Sequence, residues 1–219
     1  MPKANLWDKL LSLFFPAKCI FCGRVLPAGK PGVCERCLPK LPLNTEGLQR
    51  YGDYFSSCAY AFRYEGSFRS MFHRYKFSGK SCYAGVLGEF LAEAVYRDYG
   101  TDFDILTWAP LDKKRLRSRG YDQARLLAEE AGRHLQVRPV PLLIKKKGVS
   151  AQSKTGSPER RRANISGAYS VLDEKSVLDK KILLIDDVIT SGSTLSECSR
   201  VLLRAGAEKV ICATLAGVD

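Results

Sequence analysis

The sequence predicts an α/β protein built on a mainly parallel sheet, with a small cysteine-rich element ahead of it. Three observations carry this prediction. Short apolar and β-branched runs alternate with helix-periodic segments of ten to fifteen residues, the pattern of strand, crossover helix and parallel strand. One run, 182–185, is wholly apolar, as a strand buried on both faces must be. Cys19, Cys22, Cys34 and Cys37 form two C-x2-C pairs with eleven residues between them, a spacing that suits a closed tetrahedral metal site.

Taken in chain order, residues 6–15 read as a short amphipathic helix. Asp8 and Lys9 interrupt its apolar run, which falls well short of the roughly 20 residues that cross a bilayer. No small-residue cleavage site follows, so the chain reads as cytoplasmic. In the cysteine pairs, two intervening residues let a tight turn aim both sulfurs at one point while its amides donate to them. Gly23 suits such a turn, and Pro27, Gly29, Pro31 and Gly32 make the intervening loop a compact hairpin. A disulfide framework would need a secretory setting, and a redox C-x-x-C would not be duplicated. The expectation is therefore a structural Zn²⁺ ribbon, which either meets a partner or only staples the N-terminal segment. The predicted division is 1–45, helix and zinc ribbon, and 46–219, the α/β domain. Cys58, Cys82, Cys198 and Cys212 sit among apolar residues and read as small buried hydrophobes.

Beyond the ribbon, 57–64 reads as a strand. Residues 66–77 follow as a helix whose Phe68, Met71, Phe72 and Tyr75 recur at i, i+3, i+4 and i+7. After Gly79 come a helix at 83–99, a strand at 103–109, a helix at 122–135 and a short strand at 140–144. A strand at 181–185, a helix at 193–205 and a strand at 209–215 complete the alternation. Ligands of such sheets bind at the carboxyl ends of the strands.

The net charge of +12 is unevenly placed: residues 106–165 carry 15 basic and 5 acidic side chains, and residues 1–50 carry 8 and 3. A solvated basic surface would be more even. Concentrated positive charge points to a polyanion, either nucleic acid or a multiply phosphorylated small ligand.

The segment KILLIDDVITSGSTL at 181–195 narrows the choice. An apolar strand runs into Asp186 and Asp187, and Thr190, Ser191, Gly192, Ser193 and Thr194 then open a helix. Small and hydroxyl residues at a helix N-terminus cradle a phosphate with backbone amides. Paired carboxylates in front of them suit a diol or Mg²⁺, so the implied ligand is a sugar phosphate. The lysine of a Walker loop is missing.

This segment resembles the phosphoribosyl pyrophosphate (PRPP) loop of type I phosphoribosyltransferases over about fifteen residues. The wider arrangement is a cysteine ribbon, YKFSGK at 75–80, SRGYDQARLLA at 118–128, a basic segment with Gln152, RRRANISGAY at 160–169 and then the loop. It is similar to the ComF family of bacterial competence proteins across almost the whole chain. Asp122 stands where the commonest form of the family has asparagine, and the sequence at 107–110, Thr-Trp-Ala-Pro, replaces a Val-Pro-rich stretch. The resemblance implies a type I phosphoribosyltransferase fold that binds PRPP with Mg²⁺. Asp186 and Asp187 then hold the ribose diol as the catalytic pair, and Thr190, Ser191, Gly192, Ser193 and Thr194 hold the 5′-phosphate. Lys113, Lys114, Arg115, Arg117 and Arg119 lie where a pyrophosphate-facing loop would be, with Arg115 and Arg119 the candidates. Residues 148–164 resemble a flap, with Arg161 and Asn164 its candidates and Lys76 a further one.

Two functions follow. One is an enzyme that transfers ribose 5-phosphate from PRPP to an acceptor. The other is a protein of DNA uptake and natural transformation that keeps the fold and handles single-stranded DNA, with Phe72, Tyr75, Phe77, Tyr121 and Tyr169 available for base stacking. His73 and His134 fall in helices away from the loop, and no general base is evident.

Overall fold

The computed structural model describes residues 16–27, 32–146 and 166–218. A two-residue edge strand, β1 (Gln49–Arg50), precedes β2 (Cys58–Arg63), whose side chains are buried on both faces. Helix α1 (Gly66–Phe77) buries Phe68, Met71, Phe72 and Tyr75, as their period demands. A 3₁₀ turn at Ser81–Tyr83 leads into α2 (Ala84–Tyr99). Cys82 lies in that turn and is exposed, which corrects its reading as a buried hydrophobe, while Cys58, Cys198 and Cys212 are buried as expected.

After β3 (Ile105–Trp108) the basic stretch is helical: α3 spans Lys113–Arg119, where the sequence reading has a loop. Its ends carry the signal. The Asp112 carboxylate accepts from the Arg115 amide, and Gly120 closes the helix with φ of 80°. None of its seven residues is buried, so there was no apolar period to read. Helix α4 (Gln123–Leu135) follows, capped by Asp122. β4 (Leu143–Lys145) begins later than expected because Pro139 and Pro141 have no amide to give a ladder. Beyond it lie β5 (Tyr169–Val171), β6 (Lys181–Ile189), α5 (Ser193–Arg204) and β7 (Lys209–Gly217).

The main sheet has the order β1-β2-β7-β6-β3, parallel throughout except for β1, and β4 pairs with β5 in a separate antiparallel ribbon. β6 runs four residues past its predicted end because β7 continues beside it, setting Asp186 opposite Thr214 and Val188 opposite Ala216. Side chains of β6 alternate between two cores. Leu183 and Ile185 pack with α1, α2 and α4, and Ile182 and Leu184 with α5. A helix layer on each face is what makes so apolar a strand soluble.

Close packing of α2 on α4 depends on Gly88, where a Cβ would lie 2.4 Å from Glu130 Cβ and 3.0 Å from the Ala131 nitrogen. Gly88→Ala forces the helices apart and is expected to cost about 1–3 kcal/mol, read as a lower denaturant midpoint at unchanged slope.

The cysteine ribbon is not a free appendage. Ile20 and Phe21 share one core with Phe62 and Phe68, and the Arg74 guanidinium donates to the carbonyls of Ile20 and Phe21 at 2.7 and 2.8 Å. The connecting chain runs beside β2, with the Arg63 amide donating to Pro42 O and the Asn44 amide to Ala61 O. The predicted helix at 6–15 lies outside the described residues, as do Gly29 and Pro31 of the ribbon loop. Among the described residues no helix is long and apolar enough to cross a membrane.

Candidate functional site

At the carboxyl end of β6 a cavity of about 310 Å³ opens. It gathers the predicted site residues Lys76, Arg115, Arg119, Asp186, Asp187, Thr190 and Thr194, which come from α1, α3, β6 and the start of α5. Asp187 Oδ2 is paired with Lys76 Nζ at 2.6 Å, and that ammonium also lies 4.7 Å from the centre of the Phe72 ring. Asp186 Oδ1 accepts from the Asp187 amide at 2.8 Å. Burial, then the charge of Asp187, pushes the Asp186 carboxyl up to about 8.

Two segments distant in sequence meet to aim the cations. The Tyr121 hydroxyl donates to the Tyr75 carbonyl, and the Tyr75 hydroxyl donates to the Gln123 carbonyl at 3.2 Å. These bonds lock the end of α1 to the corner between α3 and α4. Arg119 donates to Gln123 Oε1 at 2.9 Å and stacks over Phe77 with 5.1 Å to the ring centre. Asp122 uses both carboxylate oxygens: Oδ1 accepts from the Arg125 amide at 3.2 Å and Oδ2 from the Leu111 amide at 2.9 Å. An asparagine has one acceptor oxygen and would leave one of those amides without a partner, so the acid at this position fixes Leu111 on the cavity wall.

The loop at 190–194 is divided between two surfaces. Thr190 and Thr194 face the main cavity, whereas Ser191 and Gly192 line a smaller one of about 80 Å³ with Arg50, Gly52 and Phe55. The Ser193 hydroxyl is buried and lies 2.8 Å from that of Ser191. Gly192 caps α5 at φ of 70°, a conformation in which glycine carries no steric cost.

Of the aromatic candidates, Phe72 and Tyr169 line the cavity. Tyr75 is fully buried and cannot stack on a base, and Phe77 is exposed. His73 lies against Phe77 and His134 is exposed; neither lines the cavity. Arg161 and Asn164, with the whole segment at 148–164, lie outside the described residues. The sequence reading passed over Tyr64 and Lys145, which also line the cavity. Lys145 sits in a run of three lysines, and nothing in the sequence singles it out from its neighbours.

In the N-terminal ribbon, the Sγ atoms of Cys19, Cys22, Cys34 and Cys37 all lie within 4.8 Å of one another. Cys22 and Cys34 Sγ are 3.7 Å apart, close to the roughly 3.8 Å that tetrahedral Zn–S bonds of about 2.3 Å impose. The Cys34 amide donates to Cys19 Sγ at 3.4 Å. Burial opposes ionisation of Cys19, but amide donors outweigh it and hold this thiol down to about 6. Cys37 is pushed up by burial and by the neighbouring sulfurs. Four sulfurs that cannot all ionise together unless a cation joins them, with an amide already aimed at one, fit a zinc ion.

A mainly parallel sheet whose interior strand β6 delivers an acidic pair and a hydroxyl-rich loop to a cation-lined cavity defines a phosphoribosyltransferase-type domain. In agreement, the family model described as "Phosphoribosyl transferase domain" matches residues 122–218. The chain is 28% identical to "Competence protein F" of Haemophilus influenzae over 222 residues, covering 90% of this chain and 95% of that protein. It is 30% identical to the "DNA utilization protein YhgH" of Escherichia coli K12 over 206 residues, covering 90% and 84%. It is 32% identical to "Competence protein ComFC" of Streptococcus pneumoniae over 151 residues, covering 68% and 63%. The chain belongs to the ComF family, and its fold is that of the type I phosphoribosyltransferases with a four-cysteine cluster in front.

Proposed function

We propose that this protein binds PRPP, or a closely related sugar phosphate, with Mg²⁺ in the cavity at the end of β6, and that it acts in the handling of DNA during uptake and natural transformation. The observation that carries the ligand is convergence: one cavity collects an acidic pair, hydroxyls at a helix N-terminus and four cations. Asp186 and Asp187 hold the ribose diol and would also hold Mg²⁺, which would supply positive charge against the pyrophosphate. The loop at 190–194 takes the 5′-phosphate, with Thr190 and Thr194 its members on this cavity, and Arg115 and Arg119 take the pyrophosphate, whose charge they neutralise as it leaves. Lys76 must let go of Asp187 as the ribose enters. Catalytic transfer to an acceptor is the reading for the site; DNA uptake is the setting that the names of the relatives suggest. The test is calorimetric titration of PRPP with Mg²⁺ into the zinc-loaded protein, with micromolar binding expected. No binding to the folded protein would leave DNA handling as the leading account.

Zinc in the four-cysteine cluster is structural in this reading, and the chain comprises two modules, 1–45 and 46–219, that share a buried contact.

A second reading, single-stranded DNA binding without catalysis, is favoured by the outer face of α3, where Lys113, Lys114 and Arg117 are exposed and do not line the cavity. Counterion release gives a slope of log K against log salt of about −0.7 per phosphate contact. Replacing these three residues with alanine is therefore expected to flatten the slope by about 2 units, measured by fluorescence anisotropy with a labelled oligonucleotide at several salt concentrations. An unchanged slope would show that DNA does not track this face.

A further inference from the structure

Four cations line the cavity, and three of them have an anchor. Lys76 is held by Asp187 at 2.6 Å, Arg115 by Asp112 at 3.4 Å, and Arg119 by Gln123 at 2.9 Å. Lys145 differs. Among the described residues its ammonium has no carboxylate or carbonyl partner; it lies over the Tyr169 ring, 5.0 Å from the centre. The register of β4 and β5 sets Lys145 directly opposite Tyr169, and Tyr169 is only 4% exposed, so the ring is a fixed platform. Burial and then the charge of Arg115 hold the Lys145 ammonium below the usual lysine range, partly offset by Asp112 and Asp186. A half-buried cation kept beside a second cation is unfavourable until an anion joins the two.

We propose that Lys145, laid over Tyr169 and facing Arg115, binds the pyrophosphate group at the α3 end of the cavity, with Tyr169 as its positioning residue. This rests on the PRPP reading of the site. The 5′-phosphate is taken by the loop at the start of α5, so Lys145 separates ligands by whether they carry pyrophosphate. Ribose 5-phosphate lacks the group that Lys145 would touch; inorganic pyrophosphate consists of nothing else.

The experiment titrates PRPP, inorganic pyrophosphate and ribose 5-phosphate, each with Mg²⁺, into the wild type, Lys145→Met, Lys145→Arg, Tyr169→Leu and Tyr169→Phe. Loss of one charge-assisted contact is expected to weaken PRPP and pyrophosphate by roughly 10- to 100-fold in Lys145→Met, with ribose 5-phosphate unchanged within about twofold. Lys145→Arg and Tyr169→Phe retain most of the affinity, because the charge and the ring remain. Tyr169→Leu shows the same selective loss as Lys145→Met, and combining the two adds little, since both act on one contact. Thermal melts establish that each variant is folded, and Lys145→Gln replaces the methionine variant if that one is not. Equal losses for all three ligands, or undiminished pyrophosphate binding in a folded Lys145→Met, overturn the inference alone. A wild type that binds none of the three overturns the PRPP reading, and the inference with it.

Discussion

Asp186→Asn/Asp187→Asn is expected to lose PRPP binding by a factor of 100 or more while the protein stays folded. Each carboxylate hydrogen bond to a ligand hydroxyl contributes about 1.5–3 kcal/mol, so two together account for at least two decades of affinity at 1.4 kcal/mol per decade. Stability has a different balance. The carboxylates are neighbours on β6, and their mutual repulsion is one cause of the raised Asp186 carboxyl. Removing both charges relieves that repulsion but leaves Lys76 without its 2.6 Å partner. The double variant should therefore melt close to the wild type. A folded double variant that still binds PRPP tightly would remove the acidic pair from the ligand site and with it the assignment of the diol.

The same carboxyl sets two pH dependences of opposite sign. Between the ordinary carboxylate range and about 8, folded Asp186 keeps a proton that the unfolded chain has released, so this group's contribution to stability falls as pH rises through that window. Ligand binding needs the ionised form and gains over the same window. Asp186→Asn removes the group's share of the stability slope, which denaturant midpoints at pH 5 and pH 8 would report.

The sequence made the central strand and the acidic pair legible because burial on both faces leaves an uninterrupted apolar run, and because the residues after it have little other reason to be small and hydroxylated. Helix α3 was not legible: it buries nothing, and only the caps Asp112 and Gly120 mark it. The convergence of Lys76 with Asp187 was hidden too. Lys76 and Asp187 are far apart in sequence, and the end of α1 that carries Lys76 is held by bonds among Tyr75, Tyr121 and Gln123 that run through backbone carbonyls. Side-chain patterns do not announce a bond to a carbonyl. Asp122 engages both of its oxygens with backbone amides, those of Leu111 and Arg125, and no side-chain pattern marks such a pair.

Removing zinc is expected to loosen the ribbon, lower the stability of the rest and yet leave the sheet intact. Metal binding by such clusters is folding free energy, so without the ion the turns at 19–22 and 34–37 have little to hold them. Ile20 and Phe21 then leave the core they share with Phe62 and Phe68. Exposing two such side chains costs about 1.5–3 kcal/mol each, and together that is a large part of the 5–15 kcal/mol by which domains are stable. Arg74 also loses both of its carbonyl acceptors, so α1 should loosen next, and with it the approach of Lys76 to the cavity. Pairing of β6 with β7 involves no ribbon residue and should persist. Hydrogen exchange after treatment with a strong chelator would show fast exchange at 16–45, intermediate exchange in α1, and retained protection in β6 and β7. Cys34→Ser should give the same ranking without a chelator. Cooperative loss of protection in β6 and β7 would show instead that 1–45 and 46–219 fold as one unit, making the ribbon a part of the α/β domain's core.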